Sequence, residues 1–233
     1  MVLKNDVSWT LETGKANTLK YVAGVDISFV KDSQDACAAL VVCQYPRYEV
    51  VYEAYQPVQM TLPYIPGFLA FREIPFIIEL LDDLKARQPQ FMPELIIVDG
   101  NGILHTRGFG LACHLGVLTG IPTFGCGKTL FATDGLNLKS IKQNFKQQVT
   151  QPGDYLKLIG KSGKCHGVAY KSTNLTTNPV FLSPGHRIDF ELMVEVAKTC
   201  CLVRVPEPVR QADLRSRSWI DHNYPSSSSE APK

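Results

Sequence analysis

The chain has 233 residues, 45% of them hydrophobic and 20% charged, with a formal net charge of +2. That length fits one large domain, and that balance excludes a wholly disordered chain. No run approaches ~18 uninterrupted apolar residues, and Met1 to Asp6 form no apolar signal core, so neither a membrane-spanning helix nor secretion is expected.

Residues 1–20 are weakly patterned. Tyr21 to Val30 reads as a strand, rich in β-branched and aromatic residues. Ala36 to Gln44 and Tyr48 to Tyr55 read as two more, with Tyr45-Pro46-Arg47 between them as a hairpin turn. Pro57, Pro63 and Pro66 make the next loop stiff, because each fixes its own φ. A helix is predicted over Gly67 to Arg87, bent or broken at Pro75. Glu94 to Val98 is a wholly apolar run that ends at Asp99-Gly100-Asn101-Gly102, as a buried central strand does where it enters a loop. A helix over Phe109 to Leu118 and a strand over Pro122 to Gly125 follow. Tyr155–Ile159, Lys164–Tyr170 and Val180–Leu182 read as strands, and Asp189–Cys201 as a helix. From Pro206 the chain turns polar, and 218–233 is expected to be a disordered tail, with Ser226 to Ser229 at its heart. Residues 21–217 would then form one domain. The order predicts an α/β fold, a mixed sheet flanked by helices on both faces, as in ribonuclease-H-like nucleases.

The seven cysteines are odd in number and form no C-x-x-C, so reduced thiols in a cytoplasmic, nuclear or nucleolar protein are expected. From Lys128 to Lys171 stand eight lysines against Asp134 and Asp154, a basic segment compatible with phosphate. Gly127-Lys128-Thr129 is not a phosphate-binding P-loop, because that pattern needs glycine where Pro122 stands.

Three acids stand out. Asp26 interrupts an apolar strand, Asp99 ends another, and Glu73 sits early on a helix that is otherwise aromatic and aliphatic. An unpaired charge inside a strand costs several kcal/mol, by order of magnitude. If the first strand and the Glu94–Asp99 strand are neighbours, Asp26 and Asp99 can meet, with Glu73 above them. Like charges so close raise one another's pKa, and a divalent cation such as Mg²⁺ or Mn²⁺ removes the conflict.

Five segments, YVAGVDISF at 21–29, PYIPGFLAFREIP at 63–75, LIIVDGNGILHTRGFGLACHLG at 95–116, GHRI at 185–188 and RVPEPVRQAD at 204–213, resemble the endonuclease V family. The resemblance implies a ribonuclease-H-like fold with Asp26, Glu73 and Asp99 at a Mg²⁺ site that also accepts Mn²⁺. It implies that Tyr64, Ile65 and Pro66 form a wedge beside the modified base. It places Gly67, Leu69, Gly100, Gly102 and Gly125 at a tight pocket for that base. Lys128 and His186 are implied at the scissile phosphate, and Asp213 as an anchor of the tail or a support beside the metal ligands.

The implied reaction is metal-dependent cleavage at the second phosphodiester 3′ to inosine, leaving a 5′-phosphate and a 3′-hydroxyl. Single-stranded RNA is the favoured substrate, with deoxyinosine DNA also cut, by a monomer. The alternative from another class is an inosine-binding module without useful catalysis. The resemblance departs at two places. Family members usually carry a helical segment before the first strand, and Gly125-Cys126-Gly127 is richer in glycine than the family form.

Overall fold

The computed structural model describes residues 1–225. Eight strands form one sheet: β1 Tyr21–Phe29, β2 Asp35–Gln44, β3 Glu49–Gln59, β4 Leu95–Asp99, β5 Thr123–Gly127, β6 Tyr155–Ile159, β7 Cys165–Tyr170 and β8 Val180–His186. Their order is β3-β2-β1-β4-β5-β8-β7-β6. The central strands β1, β4 and β5 are parallel, and antiparallel strands flank them on both sides. Five helices pack against it: α1 Leu69–Arg87, α2 Leu111–Thr119, α3 Leu138–Gln148, α4 Phe190–Cys200 and α5 Glu207–Asn223. This is the mixed sheet with helices on both faces expected of a ribonuclease-H-like fold.

Alternation along the strands sorts the core into two layers. Ala23, Val25, Leu40, Ile96 and Val98 face α1 and α2. Val22, Val41, Leu95, Ile97 and Phe124 face α4 and α5, which contribute Met193, Val196, Val209 and Ala212. Ile141 and Phe145 of α3 join Leu158, Ala169 and Phe181 in a smaller cluster at the β6–β8 end.

Several expectations need correction. Pro75 does not break α1, which runs unbroken through it. At its seventh residue it removes only one intrahelical bond, to the carbonyl of Phe71 in the first turn. Neither α3 nor α5 was foreseen, and α5 carries the chain in helix to Asn223, so the tail does not begin at 218. Ser226 to Lys233 lie outside the described residues. The first twenty residues, weakly patterned in sequence, pack as a strap: Trp9 and Leu19 are buried, and the Trp9 indole donates to the carbonyl of Glu94 at 3.2 Å. Among the described residues no helix is long and apolar enough to cross a membrane.

The seat of α5 depends on Gly24. A Cβ there would lie 2.0 Å from the carbonyl oxygen of Pro208 and 2.5 Å from the nitrogen of Val209. Backbone cannot yield as a side-chain tip can, so Gly24→Ala must push α5 off the sheet. The expected cost is about 3 kcal/mol, read as a lowered midpoint in urea with an unchanged m-value. A midpoint equal to that of the parent chain would show that α5 has slack.

Candidate active site

Strand register creates the site. Val25 pairs with Val98 across the parallel β1–β4 ladder, so Asp26 and Asp99 follow side by side. Both lie at the carboxyl ends of central strands, the edge where ligand sites gather in α/β sheets. By alternation both side chains point to the α5 face. That helix supplies the third acid, Asp213.

Ligand oxygens of Asp26, Asp99 and Asp213 all lie within 4.8 Å of one another. Ser216, one turn beyond Asp213, donates to Asp26 Oδ2 at 2.9 Å and contacts the Ser28 hydroxyl at 2.7 Å, which locks α5 onto β1. Lys128 stands just past β5. Its Nζ donates to Asp99 Oδ2 at 2.7 Å and to Asp213 Oδ1 at 3.3 Å. Arg217 pairs with Asp213 at 2.8 Å. Two cavities open beside the acids. One is lined by Asp26, Asp99, Lys128, Asp213 and Arg217. The other, of about 290 Å³, is lined by Asp26, Glu73 and Asp99 together with Gly67, Leu69, Gly100, His105, Phe109 and Phe131.

The electrostatics bear the marks of crowded acids. The Asp26 carboxyl is pushed up to about 6, by burial first and then by the charges of Asp99 and Asp213, against the Ser216 hydrogen bond and the Lys128 charge. Glu73 is pushed up to about 7, by burial first, with Asp26 and Asp99 adding and Arg72 opposing. Burial pulls the Lys128 ammonium down, but the hydrogen bond and charge of Asp99, with Asp213 and Asp26, outweigh it and hold its pKa above the ordinary value. The clustered donors are all carboxylate oxygens, which suits a hard divalent cation of the Mg²⁺ or Mn²⁺ type.

A pH dependence follows. Asp26 and Glu73 hold their protons more tightly in the folded chain than in the unfolded one, where values near 3.8 and 4.5 apply. Stability from this source is complete below those values and is lost as pH rises through about 6 for Asp26 and about 7 for Glu73. Buried histidines such as His105 and His114 work in the opposite sense, since burial lowers their pKa. Comparison with Glu73→Gln separates the two. Without divalent ions, the variant's Tm is expected to gain on the parent's between about pH 5.5 and pH 8, by on the order of 5 °C. A gap that stays constant with pH would refute the assignment.

Not every expected residue comes to the site. Asp26 and Asp99 meet, but Glu73 stands off the tight group and overlooks the 290 Å³ cavity from α1. Asp213 takes the third place. His186 is misplaced by the motif. It pairs with Thr123 at the start of β5, so it lies at the opposite edge of the sheet, about 10 Å along the strand from the acids. There its Nδ1 accepts from the Val2 N–H at 3.1 Å, and it holds the N-terminal strap. Gly67, Leu69 and Gly100 line the 290 Å³ cavity, whereas Gly102 and Gly125 do not. A Cβ at Gly102 would meet the Pro184 carbonyl at 2.0 Å, and one at Gly125 would meet that of Gly100 at 2.4 Å. Those two glycines let the loop after β4 lie against β5 and β8. Tyr64, Ile65 and Pro66 are exposed on the loop that leads into α1, Tyr64 to 64%.

Asp213, Ser216 and Arg217 were missed or undervalued. The signal was present as helical spacing, since Val209, Ala212, Ser216 and Ile220 form the buried stripe of α5.

The chain is similar in sequence and in fold to known proteins. The profile of the family described as Endonuclease V matches residues 3–214. Endonuclease V of Homo sapiens is 49% identical over 203 residues, covering 87% of this chain and 72% of that protein. Endonuclease V of Mus musculus is also 49% identical over 203 residues, 87% of this chain, but this chain spans only 60% of the mouse protein's length. A crystal structure of Ciona intestinalis Endonuclease V with a 24mer DNA containing an inosine followed by a ribo-adenosine superposes with a TM-score of 0.87 at 32% identity, covering 95% of this chain and 92% of that one.

Proposed function

This chain belongs to the endonuclease V family, and from that premise we propose that it is a metal-dependent endonuclease cutting single-stranded RNA at inosine. The cut falls at the second phosphodiester 3′ to the inosine and leaves a 5′-phosphate and a 3′-hydroxyl. Deoxyinosine DNA is a second substrate. The observation that carries this reading is the convergence of Asp26, Asp99 and Asp213 within 4.8 Å beside a cavity of about 290 Å³. The preference for RNA rests on the resemblance to eukaryotic members of the family.

Asp26, Asp99 and Asp213 would hold Mg²⁺, with Mn²⁺ as a substitute. The bound ion supplies charge neutralisation at the phosphate and lowers the pKa of an attacking water. The chain's own groups do the rest. Ser216 fixes the Asp26 carboxylate, and Lys128 fixes those of Asp99 and Asp213. The Lys128 ammonium and the Arg217 guanidinium face the second cavity, where they offer positive charge to the phosphate as negative charge builds on it during cleavage. Glu73 lines the 290 Å³ cavity proposed for the base, together with Asp26 and Asp99. Gly67 and Gly100 expose backbone to the base edge, which lets main-chain groups read the hypoxanthine O6.

Matched oligomers with one ribo- or one deoxyribo-inosine test the reading. In Mg²⁺ the ribo-oligomer should be cut faster, and an inosine-free control should survive. Binding without cleavage in both Mg²⁺ and Mn²⁺ would reduce the protein to a recognition module. Tyr64 should act as a wedge on its rigid loop, so Tyr64→Ala is expected to weaken discrimination of inosine from adenosine by about tenfold. The Tm gain on adding Mg²⁺ should stay as in the parent. Equal loss of both would remove the wedge role.

A further inference from the structure

Beside the cavity and the wedge loop lies a run of aromatic side chains whose middle members, Phe71 and His114, line neither. Phe71 is 61% exposed, although it stands in the first turn of α1. Its ring centroid is 5.0 Å from that of His114 on α2 and 6.1 Å from that of Phe68, and His114 is 5.8 Å from Phe109. This run joins the base cavity at both ends. Phe109 lines the cavity itself. Phe68 carries the Arg107 guanidinium 3.8 Å from its ring centroid, and Arg107 donates to the carbonyl of the cavity residue Gly67 at 3.0 Å. Neither Pro57–Arg72 nor Gly100–Gly120 contains an acidic residue. The segments that carry these rings are therefore aromatic and basic, and the acids at their borders, Glu73 and Asp99, line the cavity.

We propose that Phe71, with Phe68, His114 and Phe109, is a stacking platform for the unpaired nucleobases immediately 5′ of the inosine. Exposed aromatic rings beside cationic groups hold single strands in this way, since every base presents a π-face. The direction follows from the sheet. Asp26, Asp99 and Asp213 lie on the α5 face, whereas Phe71 and His114 stand on α1 and α2, which cover the other face. With the base in the cavity between them and the cut on its 3′ side, the 5′ neighbours run over the aromatic side. The inference rests on the proposed inosine-directed cleavage and adds the substrate feature read beside the inosine.

The test is a cycle of cleavage measurements in Mg²⁺. One oligomer carries normal bases 5′ of the inosine, and a second carries abasic residues there. For the parent chain, KM should rise at least about fivefold on the abasic oligomer. Phe71→Ala should raise KM on the normal oligomer by a similar factor, add nothing on the abasic one, and leave Tm unchanged. Phe71→Trp should restore the parent KM, and 2-aminopurine placed 5′ of the inosine should be quenched by the parent and not by Phe71→Ala. An equal rise on both oligomers, or none on either, overturns the platform while cleavage at inosine stands; the latter is the pattern expected of a surface that serves a protein partner. Absence of inosine-dependent cleavage by the parent overturns the functional reading and the platform with it.

Discussion

Asp99→Asn and Asp26→Asn are each expected to lower the single-turnover rate of inosine-directed cleavage by at least about 10³-fold, with the fold intact. Each substitution keeps the shape of the side chain and deletes one of the charges that makes the group attractive to a cation. The affected oxygens are also the anchors for their neighbours: Asp26 Oδ2 accepts from Ser216, and Asp99 Oδ2 from Lys128. Because the three acids repel one another in the absence of an ion, losing one charge should not lower the metal-free Tm, and the gain on adding Mg²⁺ should shrink. Chelation of divalent ions should reproduce the loss in the parent chain. A variant that cuts within about tenfold of the parent rate would place the chemistry elsewhere.

The second large effect is at Asp213. Asp213→Asn is expected to cost about 10²- to 10³-fold in the same assay, whereas His186→Ala should change the rate by no more than about twofold. The contrast is sharp because the family motif points at the histidine and the geometry points at the aspartate. Asp213 shares the 4.8 Å group with Asp26 and Asp99, accepts from Lys128 and pairs with Arg217. His186 faces the N-terminal strap at the far edge of the sheet, so its loss should appear as a lower Tm instead. Near-normal cleavage by Asp213→Asn, together with a severe defect in His186→Ala, would reverse the assignment.

These two predictions also bear on Gly24. Asp213 reaches the acids only because α5 lies directly on β1, with the Pro208 and Val209 backbone over a residue that has no side chain. Gly24→Ala should therefore impair cleavage as well as stability, although position 24 touches none of the carboxylates.

What the sequence determined by itself was local. A carboxylate inside an apolar strand, as at Asp26, or at the end of one, as at Asp99, is an anomaly visible within ten residues, and a run of alternating or wholly apolar residues names a strand without help. The central strands, α1, α2 and α4 were legible for that reason. Helix α5 was not, because most of its residues are polar and only Val209, Ala212, Ser216 and Ile220 turn inward. Its stability as a helix comes from burial against β1 and β2, which the chain specifies some 160 to 190 residues earlier. The third acid could be placed only once that packing existed. Direction was a second matter for tertiary structure. Because β8 runs antiparallel to β5, His186 is carried to the amino edge of the sheet, away from the acids, and no reading of the motif around it contains that information. Spacing along the chain fixes which residue is present. Which face and which edge it reaches is set by strand pairing and helix docking, and those depend on contacts between distant segments.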